Sequence, residues 1–197
     1  QQVGLLMEKI KQAESPLFYI GNGLRIAKGI DKFFRLIENA NIPVVAGISG
    51  RDILWDDHPL YFGMPGICGD RIGNVMVQNC DLLVILGTRM GVRQTSYEFK
   101  NFAPNAFKVM IDIDKAELDK PTLAIDLKIN ADINYFLEIF SKKADDLDLK
   151  NYEPWVSWGN QMKTFLPDVI DDNPSDKNFV SSYVFADQLF TQLHPGD

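Results

Sequence analysis

Asp81-Leu82-Leu83-Val84-Ile85-Leu86-Gly87-Thr88-Arg89-Met90-Gly91-Val92-Arg93-Gln94-Thr95, with Val109-Met110-Ile111-Asp112-Ile113-Asp114 further on, describes two buried strands and the loops at their carboxyl ends. The first run is continuously apolar, as a strand covered on both faces must be. It then ends in glycine and cationic residues, where parallel α/β sheets hold their ligands. The second run ends in two carboxylates at the same edge. A guanidinium suits phosphate and a carboxylate suits ribose hydroxyls, so the layout is that of a nucleotide site.

Working outward, the periodicities alternate between helix and strand. Val3, Leu6, Met7 and Ile10 repeat at helical spacing. Pro16 to Ile20 reads as a strand and Gly21-Asn22-Gly23 as a tight turn. Ile30, Phe33, Phe34 and Ile37 mark a helix beginning near Gly29. Pro43 to Ser49 is the next strand, and a long Gly-, Pro- and Asp-rich loop runs from Gly50 to about Gly69; loops of that length tend to carry function. A helix through Ile72, Val75 and Met76 precedes the Asp81 strand. Strands over Phe107 to Ile113 and Ala124 to Ile129, and a helix through Ile133, Phe136, Leu137 and Phe140, follow. Strands alternating with helices predict a parallel, doubly wound α/β sheet. Beyond Lys142 the chain turns charged. Trp155, Trp158, Met162 and Phe165 form a helical stripe, Pro167 to Asn178 reads as linker, and Ser181 to Leu193 as a last helix.

With 197 residues, 46% apolar and 24% charged, the chain has the composition of a globular protein. No apolar run approaches the ~20 residues a membrane span needs, and no signal peptide is evident, so a cytoplasmic protein is expected. A net charge of -7 leaves no basic face for the outside of a nucleic acid. Cys68 and Cys80 lack metal-ligand spacing and are expected as buried free thiols. Asp56, Asp57 and His58 stand on a loop without a second histidine nearby and read as surface groups rather than metal ligands.

The turn at Gly21 and Gly23 lacks the third glycine of the dinucleotide fingerprint, since position 26 is Ile26. The two glycines fit either a close approach to a ligand or a plain tight turn. Arg89 and Arg93 fit one pyrophosphate gripped from both sides, or a pair of surface ion pairs. Asp112 and Asp114 alternate along a strand and should point to opposite faces, so that one reaches a ligand while Asp114 caps the helix at Lys115.

Taken together, Pro43-Val44-Val45-Ala46-Gly47-Ile48-Ser49-Gly50-Arg51, Asp57-His58-Pro59-Leu60-Tyr61-Phe62-Gly63-Met64-Pro65-Gly66-Ile67-Cys68-Gly69, Cys80 to Arg89, and Ile111-Asp112-Ile113-Asp114-Lys115-Ala116-Glu117 resemble the central domain of thiamine-diphosphate-dependent enzymes of the acetolactate synthase type. The resemblance runs from about Ser15 to Lys142 in unbroken order. It implies a six-stranded parallel sheet of Rossmann type, with helices on both faces, between two thiamine-binding domains. Residues 1–14 would be a linker helix from the N-terminal domain, 15–143 the central domain, 144–177 a helix and linker, and 178–197 the start of the diphosphate-binding domain.

In the synthase branch this domain holds FAD, and in related enzymes ADP or nothing. The positions matching the nucleotide's lining are Gly21, Asn22, Gly23, Gly63, Met64, Gly87, Thr88, Arg89, Arg93, Thr95, Asp112, Ile113, Ala131 and Asp132. The resemblance further implies thiamine diphosphate and magnesium in the full-length enzyme, a transferase or decarboxylase acting on 2-keto acids, and a homo-oligomer. The chain contains neither the family's Gly-Asp-Gly nor its catalytic glutamate's domain, so the piece alone is expected to be inert. A stand-alone nucleotide-binding module and a purely structural domain are the other readings; an NAD-dependent deacylase lacks its zinc Cys-x-x-Cys pair here.

Overall fold

A computed structural model describes residues 1–144, 151–166 and 180–194. The expected linker from Pro167 to Asn178 lies outside these residues, as do 145–150 and 195–197. In chain order the elements are α1 (Gln2–Gln12), β1 (Pro16–Ile20), α2 (Gly23–Ile26), α3 (Ile30–Ala40), β2 (Val44–Ala46), α4 (Arg71–Asn79), β3 (Leu82–Leu86), α5 (Val92–Thr95), β4 (Phe107–Asp112), α6 (Lys115–Asp119), β5 (Leu127–Asn130), α7 (Ile133–Ala144), α8 (Glu153–Phe165) and α9 (Ser182–Gln192).

The strands form one parallel sheet in the order β2-β1-β3-β4-β5. β1 and β3 are buried at every residue, which is why both read as unbroken apolar runs. β5 alternates: Leu127 and Ile129 point inward, Lys128 and Asn130 outward, as befits an edge. Gln2 of α1 donates its side-chain amide to the Lys128 carbonyl, 2.6 Å away, and so covers part of that edge. Helices lie on both faces of the sheet. α1 and α3 pack against α7, and α8 packs against α4. Phe18 of β1 meets Phe33 of α3 edge to face at 5.4 Å.

Among the described residues the sheet has five strands, not the six that the resemblance implies, and a single bridge lies beside β2. Val44 donates to the Leu60 carbonyl at 2.8 Å and Phe62 donates to the Val44 carbonyl at 2.9 Å, so residues 60–62 lie parallel to β2. Pro59 has no N–H to extend the ladder, and Gly63, at φ +78°, turns the chain away before Pro65. The strand expected to reach Ser49 stops at Ala46, where a 3-10 turn over Ile48–Ile53 takes over. The strand expected from Ala124 begins at Leu127. Asp126 just before it accepts from the Lys108 amide at 2.8 Å, which sets the start of the ladder.

The sheet's start is clamped by a side chain. Asp81 accepts from the amides of Glu14 at 2.7 Å and Ser15 at 3.0 Å, fixing the entry to β1 beside the entry to β3. α1 and α8 belong to the same core: Leu6, Met7, Ile10, Tyr152, Trp155 and Val156 are all buried in it. Tyr152 donates its hydroxyl to the Ile10 carbonyl at 2.6 Å, and the Trp155 indole donates to the Pro16 carbonyl at 3.0 Å. α9 is different, for none of its side chains is buried.

Cys80 is buried as expected, and burial pushes its thiol up to about 12. Cys68 is exposed, contrary to expectation, because the loop carrying it turns outward between Gly66 and Gly69. A disulfide reagent is therefore expected to modify one thiol per chain rapidly, at Cys68, and the second only on unfolding. Two fast equivalents, counted by absorbance, would contradict this placement.

Candidate functional site at the switch point

β1 leads through α3 to β2 on one side, and β3 leads to β4 on the other. The crevice outside their carboxyl ends is therefore the topological switch point, where open α/β sheets bind ligands. What shapes it is contact between two backbone turns. Gly21 donates to the Leu86 carbonyl at 2.9 Å, and Gly23 donates to the Gly87 carbonyl at 3.0 Å. A Cβ at Gly21 would lie 2.4 Å from the Gly87 carbonyl oxygen, and one at Gly23 would lie 2.7 Å from the Gly87 Cα. Gly87 itself is held at φ +59° with the Ile133 side chain against it. Of the two readings of Gly21 and Gly23, the structure favours the turn. The glycines let the loops after β1 and β3 approach each other, and the crevice opens beside that junction.

The crevice has a volume of about 650 Å³, within the range of small-molecule sites. Of the positions singled out from the sequence, Gly21, Asn22, Gly23, Gly87, Thr88, Arg89, Asp112, Ile113 and Asp132 line it. Gly63, Met64, Arg93, Thr95 and Ala131 do not. Gly63 and Met64 lie at the β2 edge, where the Met64 amide donates to Asp70 at 2.7 Å. Ala131 donates its amide to the Asp112 carbonyl at 3.1 Å and packs against the core. Thr95 is buried, with its hydroxyl 3.1 Å from the Gly91 carbonyl.

Arg89 and Arg93 do not face the crevice together. Met90, at φ +46°, buries its side chain and reverses the chain into the short helix α5, which brings Gln94 rather than Arg93 to the lining. Arg93 is exposed, and its carbonyl accepts from the Ile67 amide at 3.0 Å.

Asp112 and Asp114 both line the crevice, against the alternation rule. β4 ends at Asp112, and the chain bends at Ile113 before α6, so the strand's two-residue period no longer applies. Asp112 accepts from the Asp114 amide at 2.9 Å, and Asp114 caps α6 as expected, accepting from the Ala116 amide at 2.9 Å. Asp132 accepts from the Tyr135 amide at 3.0 Å at the start of α7. Each hydrogen bond engages one carboxylate oxygen.

Glu117 completes the acidic wall; it sits 3.5 Å from the Arg89 guanidinium and 2.8 Å from the Lys120 ammonium, and Lys120 also donates to the Arg89 carbonyl. Arg89 is 82% exposed, and an exposed pair of this kind holds it by no more than about 1 kcal/mol. The guanidinium can therefore turn toward a ligand at small cost. Ile26 and Ile113, 75% and 71% exposed, add apolar surface to the lining. Sequence reasoning missed Ile26, Ala27, Gly47, Ser49, Gln94, Asp114, Glu117 and Ile133. Several of these are next to residues it found, and Ile26 was considered only as a missing glycine. Among the described residues no cluster of three His, Cys, Asp or Glu could hold a metal ion.

Residues 3–140 match the family described as thiamine pyrophosphate enzyme, central domain. The chain belongs to this family. Within the family it is similar to the probable acetolactate synthase large subunit of Methanocaldococcus jannaschii, 31% identical over 170 residues, which is 86% of this chain and 28% of that protein. It is 28% identical to the acetolactate synthase isozyme 2 large subunit of Escherichia coli over 145 residues, covering 74% of this chain and 26% of that protein. It is 35% identical to the acetolactate synthase large subunit of Porphyra purpurea over 128 residues, covering 64% and 22%. The chain thus spans less than a third of the length of these relatives. It is a central domain of acetolactate synthase-like type, and no helix among its described residues is long and apolar enough to cross a membrane.

The glycine junction is open to a direct test. Gly21→Ala places a methyl group against backbone that cannot rotate away, and is expected to destabilise the protein by about 2–3 kcal/mol in urea titration, as overpacking does. Wild-type stability in that variant would show that the two loops are not locked together.

Proposed function

We propose that this chain is the central domain of a thiamine-diphosphate enzyme that condenses or decarboxylates 2-keto acids, and that its switch-point crevice holds the adenine-nucleotide part of FAD or ADP. The observation that carries the second half is the composition of the lining. Three hydrogen-bonded carboxylates, Asp112, Asp114 and Asp132, each keep a free oxygen for a hydroxyl, and Ile26 and Ile113 supply apolar surface for a flat ring. Arg89 is the cation available for a phosphate. The residues fit a nucleoside diphosphate, with Asp112 and Asp132 on sugar hydroxyls and Arg89 on the diphosphate; a bound nucleotide would supply order at this edge. Thiamine diphosphate, with magnesium, supplies the carbanion chemistry of the full-length enzyme.

In this reading α9, with its exposed Tyr183, Phe185 and Phe190, leads into a neighbouring diphosphate-binding domain, and the working enzyme is a cytoplasmic homo-oligomer. A second reading, a scaffold with an empty crevice, is favoured by one observation: Arg89 already has Glu117 beside it, and carboxylates outnumber cations in the lining.

A thermal-shift titration of the full-length protein separates the two. A ligand at a hundred times its dissociation constant adds about 2.7 kcal/mol of stability. FAD or ADP is expected to give such a shift, and Asp112→Asn to weaken binding about tenfold by removing a charged acceptor. No shift with either nucleotide would establish the scaffold.

The piece comprising residues 1–197 is expected to turn over no pyruvate when thiamine diphosphate and magnesium are added. Carbon dioxide or acetolactate formed by the purified piece would refute the assignment of catalysis to the rest of the chain.

A further inference from the structure

A second, smaller pocket of about 300 Å³ lies beside the β2 edge and shares no lining residue with the crevice. Arg51, Asp56, Tyr61, Asp70, Lys163 and Ile72 line it. Two of these charges are engaged. Lys163 donates to the Tyr61 carbonyl at 2.6 Å and lies 4.3 Å from the centre of the Phe62 ring, and Asp70 accepts from the Met64 amide. Arg51 and Asp56 are not, for neither makes an ion pair with a described residue although both face one small space.

The third feature is the Tyr61 hydroxyl, a buried polar group with no hydrogen-bond partner among the described residues. Burial raises this phenol well above its ordinary value, and Arg51, Asp70 and Asp56 are the charges that act on it. It is therefore a neutral donor in working conditions. Leaving such a group unpaired costs about 1–3 kcal/mol, a cost that a ligand accepting from it would recover.

We propose that this pocket binds a small zwitterion, its carboxylate on Arg51 and the Tyr61 hydroxyl and its ammonium on Asp56. A lone anion would face two carboxylates, and a lone cation would face Arg51 and Lys163; a molecule carrying both charges a few bonds apart satisfies each. The volume stands at the lower end of ligand pockets, which suits a free amino acid and excludes a nucleotide.

The test is calorimetric titration of the full-length protein with alanine, and with propionate and ethylamine, which each carry one of the two charges. Alanine is expected to bind in the millimolar range, and each single-charge analogue about tenfold more weakly or worse. Tyr61→Phe removes only the hydroxyl, so its unliganded melting temperature should equal or exceed the wild type's while alanine binds at least about fivefold more weakly. Arg51→Gln should weaken alanine and strengthen ethylamine, whose ammonium then no longer faces the guanidinium. The proposal is overturned if alanine gives no binding heat, if propionate binds as well as alanine, or if Tyr61→Phe lowers the unliganded melting temperature, which would reveal a hidden partner. Displacement of alanine by FAD would also overturn it, since the pocket would then be part of the crevice's site.

Discussion

The site depends on a contact with no side chains in it. The loops leaving β1 and β3 meet through the backbones of Gly21, Gly23 and Gly87, close enough that a Cβ at any of the three would overlap protein atoms. Because neighbouring strands in the sheet carry their chains away in opposite directions, this is where a gap must open, and the close junction sets its floor. The walls follow from it. Gly87 at positive φ sends the chain to Thr88 and Arg89, and the turn after Gly21 sends α2 and Ile26 up the opposite side. Without the junction the same side chains would exist on two loops, but not around one space.

How much of this could be seen in the sequence follows from where chemistry is local and where it is not. Fully buried strands announce themselves as unbroken apolar runs, and β1 and β3, each five apolar residues ending at a glycine, were legible for that reason. The Asp114 cap was legible too, because a cap is a relation between residues two apart. What the sequence hid was orientation after a strand ends. Asp112 and Asp114 were assigned to opposite faces by a rule valid only within extended backbone, and the bend at Ile113 cancels it. Arg93 lost its place to Gln94 because Met90 adopts a left-handed conformation that no local pattern marks, methionine having no preference for it.

The glycines illustrate a subtler failure. Gly21 and Gly23 were weighed as a ligand cradle against a simple turn, on the premise that a missing side chain leaves room for something outside the chain. Here the room is filled by the chain itself, from residues over sixty positions later. Only a pairing of two loops distant in sequence reveals this, and such pairings are beyond what one sequence discloses.

Charge then argues about what the crevice can hold. Carboxylates around a phosphate oppose it, so a site lined by Asp112, Asp114, Glu117 and Asp132 cannot take its affinity from the phosphates alone. A nucleotide held there would have to draw its affinity from the sugar and the ring, with Arg89 facing the diphosphate after parting from Glu117. The ordering of contributions is thus the reverse of a glycine-rich phosphate loop, where backbone amides and a helix terminus grip the anion first. Ile26 is consistent with that reversal: at the position where the dinucleotide fingerprint needs a glycine to let a helix close on the sheet, this chain places an exposed apolar side chain against the cavity. Recognition led by ring and ribose tolerates differences beyond the diphosphate. A crevice built this way would take a flavin dinucleotide or a simple nucleotide without rebuilding its floor.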